Sequence, residues 1–308
     1  MNKFASIDIG SNTVRLLILE SMDNQDFKIV TSKREITRLG EGMDTNGKLA
    51  NNRMQATLKV LSEFQKICME NGGPPLFAVA TSAVREASNG EEFVDLAKKE
   101  TGIDIKIIPW EEEARLNLEG VFWKLPHENK KTIILDIGGG STEFILSEGK
   151  NIKGFCSTAL GVVRLTERFI TRHPVDEKEF LNLQNHLESE LRGVKNKLST
   201  FSPERLIGTA GTVTTLAALK NNIFPYDPEK IHGSCISHQE TKSILGDLKG
   251  KSISQRLLLK PLERGREDLI IAGTAIVLET MHTFGCDILT VSEYSLREGI
   301  ILKAMNKQ

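Results

Sequence analysis

The chain has 308 residues, of which 39% are hydrophobic and 26% are charged, so it is long enough for two domains that each bury a core. The near balance of 40 Lys and Arg against 41 Asp and Glu excludes a dedicated nucleic-acid-binding protein, which would carry a basic excess. An ordinary apolar fraction, with 25 Gly and 9 Pro, excludes an intrinsically disordered chain.

The first predicted element is a β-hairpin, and the same pattern returns in the second half of the chain. The segment Ile7–Thr13 reads IDIGSNT, and a shift of 128 residues places it on Leu135–Ser141, which reads LDIGGGS. Apolar stretches follow both segments, so each is predicted to form a strand, a tight Gly-rich turn and a second strand. Two such hairpins indicate a duplicated domain.

Helices and strands alternate after each hairpin, which predicts an α/β fold. Apolar residues recur every three or four positions in 53–71 and 180–198, and Asp176 with Glu179 forms a capping-box-like start for the second helix. The other predicted elements are a strand at 76–80, a helix at 91–100, a strand at 103–108, a strand at 205–208 and a helix at 212–219. The polar stretch 126–129 is the predicted join, which gives domains at 1–125 and 126–308.

The sequence predicts a cytoplasmic protein without a membrane segment. Its first residues lack the uninterrupted apolar core of about 7–15 residues that a signal peptide needs. The longest apolar run, 269–278, has about half the length of a membrane span. The four cysteines lie far apart and form no C-x-x-C pair, which predicts buried thiols: Cys68, Cys156, Cys235 and Cys286.

Three Gly-rich segments suggest phosphate binding: Asp8–Thr13, Asp136–Glu143 and Gly208–Thr212. A Gly-rich turn exposes consecutive backbone N–H groups, and neighbouring hydroxyls add donors, so together they can bind an anion. A carboxylate at the end of the preceding strand could hold Mg²⁺ beside the phosphate. The alternative is that the glycines only form tight turns.

The motifs closely resemble those of the exopolyphosphatase/guanosine pentaphosphate phosphohydrolase (Ppx/GppA) family, within the actin/Hsp70/sugar-kinase superfamily. The matching segments are IDIGSNTVRLLI, VATSAVREASNG, EEEARL, ILDIGGGSTEFIL, TALGVVRLTERF, GTAGTVTTLAAL, YDPEKIHG and VSEYSLREGI. The resemblance implies the short form of that family, with two ribonuclease-H-like (actin-like ATPase) domains and a cleft between them. It also allows the C-terminal helix, about 297–308, to pack back on the first domain.

The resemblance implies a role for most of the residues singled out above. Glu113 would orient the attacking water. The alternative, from local sequence, is that residues 111–113 only complement the dipole of the helix that they open. Whether Glu112 or Glu113 faces the substrate stays open. Asp136 and Glu143, on the two arms of one hairpin, are the main metal candidates, with Asp8 as a third. The implied phosphate-binding residues are Gly10, Ser11, Asn12, Arg15, Thr81, Arg85, Gly138, Gly139, Gly140 and Ser141. From local sequence alone, Thr81 is an N-cap and Arg85 a solvated side chain.

Two basic segments could be solvated faces or parts of a track for a polyanion. Between residues 249 and 266 there are six basic residues and one acidic residue, and Arg164, Arg168 and Arg172 recur every four residues on a predicted helix. One position departs from the family pattern, since Ser295 stands where the family has a glycine, at a predicted tight turn.

These observations predict an Mg²⁺-dependent exopolyphosphatase, with Mn²⁺ as an alternative ion. The alternatives are a guanosine pentaphosphate (pppGpp) 5′-phosphohydrolase, a sugar or acetate kinase, and a non-catalytic nucleotide or alarmone sensor. The expected partners are inorganic polyphosphate or guanosine penta- and tetraphosphate, with a second copy of the chain in a homodimer, and neither a membrane nor a specific nucleic acid.

Overall fold

The computed structural model describes residues 2–22, 27–126, 128–198 and 202–305. The chain divides into two compact units, of which unit 1 comprises residues 1–123 with 295–308 and unit 2 comprises residues 124–294. His127 of the predicted join and residues 306–308 of the predicted C-terminal helix lie outside the described residues.

Unit 1 contains a five-stranded mixed sheet in the order β3-β2-β1-β4-β5. β1 is antiparallel to β2 and parallel to β4, and β4 is parallel to β5. Its strands are β1 Lys3–Ile9, β2 Thr13–Ser21, β3 Phe27–Ile36, β4 Leu76–Ala80 and β5 Ile105–Ile107. Its helices, numbered along the whole chain, are α1 Met43–Asn46, α2 Asn51–Glu70, α3 Ser82–Glu86, α4 Gly90–Thr101, α5 Trp110–Val121 and α13 Leu296–Met305.

Unit 2 contains a six-stranded mixed sheet in the order β10-β11-β9-β6-β7-β8. Its strands are β6 Lys131–Ile137, β7 Thr142–Glu148, β8 Asn151–Thr158, β9 Arg205–Thr209, β10 Cys235–Ser237 and β11 Ile288–Val291. Its helices are α6 Val162–Phe169, α7 Glu177–Lys197, α8 Ala210–Asn221, α9 Pro228–Ile231, α10 His238–Lys249, α11 Ile253–Leu257 and α12 Ile270–Phe284. The predicted α/β fold with two ribonuclease-H-like sheets is confirmed.

The two predicted hairpins form with the same hydrogen bond at the same repeated position. The N–H of Gly10 donates to the carbonyl of Thr13 at 3.0 Å, and the N–H of Gly138 donates to that of Ser141 at 2.9 Å. A Cβ at Gly138 would lie 3.0 Å from the Ser141 oxygen, so a larger residue would force a small shift of this turn. The internal repeat read from the sequence is therefore a structural repeat.

In unit 1, helices α5 and α13 cross at unusually close range. A Cβ added at Gly120 would lie 1.7 Å from the carbonyl oxygen of Ser295, and one at Gly299 would lie 1.9 Å from that of Leu116. Because only glycine allows the two backbones to approach so closely, these two positions fix the crossing. Leu296 and Ile300 of α13 then join a buried cluster with Leu116.

Several predicted details differ from the structure. Asp176 caps α7 by accepting from the N–H groups of Lys178 and Glu179, but the Glu179 carboxylate bonds Thr171 and does not complete a capping box. Arg172 lies beyond the end of α6, at Phe169, so it is not on one helix with Arg164 and Arg168.

The apolar run predicted to be too short for a membrane segment is the buried start of α12. Of the residues that the structure describes, no helix is both long and apolar enough to cross a bilayer. All four cysteines are free, and Cys68 and Cys156 are buried as predicted, but Cys286 is only half-buried and Cys235 is exposed on the edge strand β10.

Candidate phosphate-binding and hydrolytic site

In unit 1, three of the predicted site segments follow parallel strands of the sheet. Gly10–Asn12 follow β1, Thr81 and α3 follow β4, and Pro109 with α5 follows β5. The carboxyl ends of neighbouring parallel strands lie at one edge of a sheet, which is where ligands of open α/β sheets bind. The N–H of Thr81 donates to the Ile9 carbonyl at 3.2 Å, which joins the first two segments.

Arg85 and Glu113 form a buried ion pair at this edge. The Nη1 of Arg85 lies 2.8 Å from Oε2 of Glu113 and 3.0 Å from the carbonyl oxygen of Ile108, and the two side chains are only 15% and 7% exposed. The Nε and Nη2 atoms of Arg85 are buried and have no hydrogen-bond partner among the described residues. This Nε–Nη2 edge is the fork of a guanidinium that can bind two oxygens of one phosphate. The local reading of Arg85 as a solvated side chain is therefore wrong.

The neighbouring Glu112 makes different contacts. Its two carboxylate oxygens each lie 2.8 Å from a lysine Nζ, one of Lys106 and one of Lys303. These two hydrogen bonds lower the pKa of Glu112. Glu112 thus links α13 to the start of α5. Glu113, in contrast, is the carboxylate that pairs with Arg85.

The first hairpin places an arginine opposite an aspartate. Asp8 and Arg15 are register partners on β1 and β2, so their side chains lie on the same face of the sheet. Burial raises the pKa of Asp8, and the charges of Arg15 and Arg297 oppose that rise. In the turn between the strands, the hydroxyl of Ser11 and both side-chain amide atoms of Asn12 are buried without a hydrogen-bond partner among the described residues.

The second hairpin, in unit 2, places two carboxylates in the equivalent positions. Asp136 and Glu143 are register partners on β6 and β7, which puts their Cβ atoms about 5 Å apart on one face of the sheet. Glu143 is buried and accepts a hydrogen bond from the Ser157 hydroxyl at 2.9 Å. Like charges directly opposite each other are unfavourable, so this pair favours a bound cation.

The Gly-rich turn of unit 2 is supported by the start of α6. The N–H groups of Val162 and Val163 donate to the carbonyls of Gly138 and Gly139 at 3.0 and 2.9 Å. A Cβ at Gly161 would lie 2.2 Å from the Gly139 oxygen, so glycine is required there too. Gly161 was not predicted as a site residue, although it lies in the segment TALGVVRL, which resembles the family pattern.

The third Gly-rich segment supports Arg266. A Cβ at Gly211 would lie 2.1 Å from Nη2 of Arg266, so the guanidinium rests on the backbone at the start of α8. Arg266 is buried, and its Nε lies 2.5 Å from Oε2 of Glu263. Ala210, beside Gly211, has a left-handed backbone with φ of 68°, which is unfavourable for a residue with a Cβ.

The basic segment 249–266 is not a continuous basic track. Arg256 is fully buried and donates to the backbone carbonyls of Leu248, Glu267 and Lys251, so its role is structural. Lys249 and Lys251 contact Glu177 and Asp247, and only Lys260 and Arg264 of the six are largely exposed. Sequence composition could not show which of these basic residues are buried, because a buried and an exposed basic residue cannot be distinguished by composition.

Ser295 does not form the tight glycine-like turn that was predicted. Its φ is not positive, and its N–H donates to Oε2 of Glu298 at 2.8 Å at the start of α13. A serine is well suited to this position, so the departure from the family glycine requires no change elsewhere in unit 1.

Comparison with known proteins matches this arrangement to one family over almost the entire chain. The model of the Ppx/GppA phosphatase family matches residues 17–308. The chain belongs to the Ppx/GppA phosphatase family.

Relatives of known name and structure agree with this assignment. The chain is 31% identical to Exopolyphosphatase 2 of Mycobacterium tuberculosis, over 98% of both proteins. It is 35% identical to the Bifunctional 3-dehydroquinate synthase/phosphatase of Fusobacterium nucleatum, over 99% of this chain, which spans 47% of that longer protein. Among solved structures, an exopolyphosphatase from Cytophaga hutchinsonii superposes with a TM-score of 0.93 at 28% identity, covering 99% of this chain and 98% of that one.

The donor set of this Ppx/GppA chain fits Mg²⁺ at one place. No cluster of three or more His, Cys, Asp or Glu side chains suited to a metal occurs among the described residues. Mg²⁺ nevertheless takes only one or two carboxylates and completes its shell with water and phosphate oxygens, so Asp136 and Glu143 fit it. Asp8 fits less well because Arg15 and Arg297 already offset its charge, and its role as a ligand stays a prediction.

Proposed function

We propose that this member of the Ppx/GppA family is an Mg²⁺-dependent exopolyphosphatase, which hydrolyses the terminal phosphoanhydride bond of inorganic polyphosphate. The observation that carries the proposal is the Arg85–Glu113 pair. It combines a buried guanidinium whose phosphate-binding fork has no partner among the described residues with a carboxylate 2.8 Å from the same guanidinium. Phosphoryl transfer requires a positioned water, a carboxylate and neutralised phosphate charge, and little else from the protein.

The chemistry assigns one task to each group. The Nε and Nη2 atoms of Arg85 donate to two oxygens of the terminal phosphoryl group, while Glu113 accepts a hydrogen bond from a water and orients its oxygen toward phosphorus. A bond forms from the water oxygen to phosphorus, the bond from phosphorus to the bridging oxygen breaks, and one proton of the water passes through Glu113 to solvent. Orthophosphate leaves with the water's oxygen, and the polymer is one phosphate shorter.

The remaining site residues bind and neutralise the substrate. In unit 1 these are Gly10, Ser11, Asn12, Arg15 and Thr81. In unit 2 the backbone of Gly138, Gly139 and Gly140 and the hydroxyl of Ser141 supply donors. Asp136 and Glu143 would hold Mg²⁺, whose charge offsets that on the phosphate oxygens.

The test is phosphate release from three substrates at matched concentrations in Mg²⁺: long-chain polyphosphate, tripolyphosphate and guanosine pentaphosphate. The proposal expects the largest kcat/KM for an inorganic polyphosphate and no release when Mg²⁺ is chelated with EDTA. A protein that hydrolyses only guanosine pentaphosphate is the nucleotide phosphohydrolase of the same family. A protein that binds any of the three without releasing phosphate is a sensor, and either result contradicts the proposal.

A further inference from the structure

Residues 37–40, which follow β3, are fastened to the turn of the first hairpin. The N–H groups of Thr37 and Arg38 both donate to the carbonyl oxygen of Asn12, at 3.1 and 3.0 Å, and the N–H of Gly40 donates to that of Ser11 at 2.7 Å. A Cβ at Gly40 would lie 2.9 Å from the Cβ of Ser11. Thr37 therefore lies in direct backbone contact with the turn that was assigned to phosphate binding.

Thr37, Ser11 and Asn12 share an unusual property. They are 4%, 3% and 4% exposed, yet the hydroxyls of Thr37 and Ser11 and both amide atoms of Asn12 have no hydrogen-bond partner among the described residues. Buried polar groups are bonded in the great majority of cases. The buried Thr57 of the same unit is an ordinary example, since its hydroxyl donates to the Arg53 carbonyl at 2.9 Å. Three such residues on touching backbone indicate a polar ligand.

The chemistry of the three side chains limits what that ligand is. The Ser11 hydroxyl, the Asn12 amide and the Thr37 hydroxyl can each donate a hydrogen bond. A terminal phosphoryl group has three non-bridging oxygens that accept, whereas a phosphate inside a chain has only two. Three side-chain donors therefore match a chain end better than a chain interior.

We propose that Thr37 is a substrate-binding residue and that, with Ser11 and Asn12, it forms a subsite for the terminal phosphoryl group of a phosphate chain. The subsite distinguishes a chain end from a chain interior. This inference rests on the proposed function and adds a residue that selects the end of the substrate. The sequence alone does not indicate this role, because a threonine three positions before a glycine is not a recognised ligand-binding pattern.

The test measures binding by titration calorimetry in Mg²⁺, in a Glu113→Gln background that slows turnover. Tripolyphosphate, which has two ends, is compared with cyclic trimetaphosphate, which has none. Thr37→Val replaces the hydroxyl by a methyl group of similar size and is expected to weaken tripolyphosphate binding about tenfold, because a hydrogen bond to a charged ligand is lost. Binding of trimetaphosphate should stay unchanged, and Thr37→Ser should restore tripolyphosphate binding.

Thr280→Val is the matched control. Thr280 is a buried threonine of α12 whose hydroxyl also has no partner among the described residues, but it lies in unit 2 and in none of the site segments. Its substitution should change the affinity for neither probe. Thr37→Ala, measured in parallel, also removes the hydroxyl, so that a folding defect of one variant does not decide the result.

Two results would overturn the inference alone. In the first, the wild-type protein releases phosphate, but neither Thr37→Val nor Thr37→Ala changes the affinity for tripolyphosphate. In the second, both variants lose as much affinity for trimetaphosphate as for tripolyphosphate. A wild-type protein that neither releases phosphate nor binds tripolyphosphate would overturn the proposed function, and the inference with it.

Discussion

At the residue scale, one substitution between the two hairpins changes what each can bind. The repeat places Asp8 opposite Arg15 in unit 1 and Asp136 opposite Glu143 in unit 2. The first pair largely neutralises itself, whereas the second concentrates negative charge on one face of the sheet. We therefore expect the duplicated element to bind an anion at its turn in one unit and a cation at its carboxylate pair in the other.

The contact behind Glu143 gives a first prediction. Because the Ser157 hydroxyl donates to Oε1 of Glu143 at 2.9 Å, it orients a proposed Mg²⁺ ligand. Ser157→Ala is expected to raise the Mg²⁺ concentration for half-maximal phosphate release about tenfold, while kcat at saturating Mg²⁺ changes little. The control is Thr158→Val, since the Thr158 hydroxyl donates to the backbone of Thr142 and not to a carboxylate. Equal Mg²⁺ curves for wild type and Ser157→Ala would refute this role.

At the element scale, the sequence predicted the helices and strands that have strong apolar patterns. The predicted strand at 76–80 is β4, and the helix predicted at 53–71 is α2, because each buries a regular set of apolar side chains. The edge strand β3 gave no comparable signal, since half of the residues in its sequence FKIVTSKREI are exposed and none is fully buried. The segment after β3, including Thr37, was missed with it.

The close crossing of α5 and α13 gives a second prediction. Gly299→Ala would place a Cβ 1.9 Å from the Leu116 carbonyl oxygen, so it should destabilise unit 1 by about 3 kcal/mol or more and lower activity by displacing the helix that carries Glu113. Gly193→Ala, at an exposed position of α7 where a Cβ has no neighbour within 4 Å, should instead stabilise the protein by about 0.5–1 kcal/mol. Urea unfolding measures both, and a Gly299→Ala protein as stable as wild type would contradict the packing argument.

The cap of α10 gives a third prediction, on pH. Hydrogen bonds from Ser237, with the nearby Lys220, lower the pKa of Glu240 to about 2, below the ordinary 4.5. A lowered carboxyl pKa contributes stability above about pH 4.5 that is lost as the pH falls toward 2. Because solvent screens this half-exposed carboxylate, Glu240→Gln should cost no more than about 1 kcal/mol at pH 7, and progressively less between pH 4.5 and 2. A cost that does not change with pH would show that the ionised form is not what stabilises the cap.

At the scale of the whole molecule, the sequence repeat predicted the duplicated architecture. It did not predict which charged side chains are buried and which can reach a ligand, because that depends on tertiary contacts. Arg256 and Arg266 are buried in unit 2, although the sequence places them in a run of basic residues. Arg85, in contrast, is read locally as a surface residue and is instead a buried member of the candidate site. Burial of a charged side chain depends on contacts distant in sequence, such as the 28 positions between Arg85 and Glu113, and no local pattern encodes them.

In the proposed reaction Glu113 is the carboxylate that positions water, and its neighbour Glu112 provides the matched control. The most direct test compares kcat for phosphate release from polyphosphate between Glu113→Gln and Glu112→Gln. Glu113→Gln should lower kcat by about 10²–10⁴-fold, because the group that orients the water is lost. Glu112→Gln should keep kcat within about twofold of wild type and affect mainly stability, since Glu112 joins α5 to Lys303 of α13 in a half-buried ion pair. A Glu113→Gln protein that releases phosphate at the wild-type rate would contradict the account.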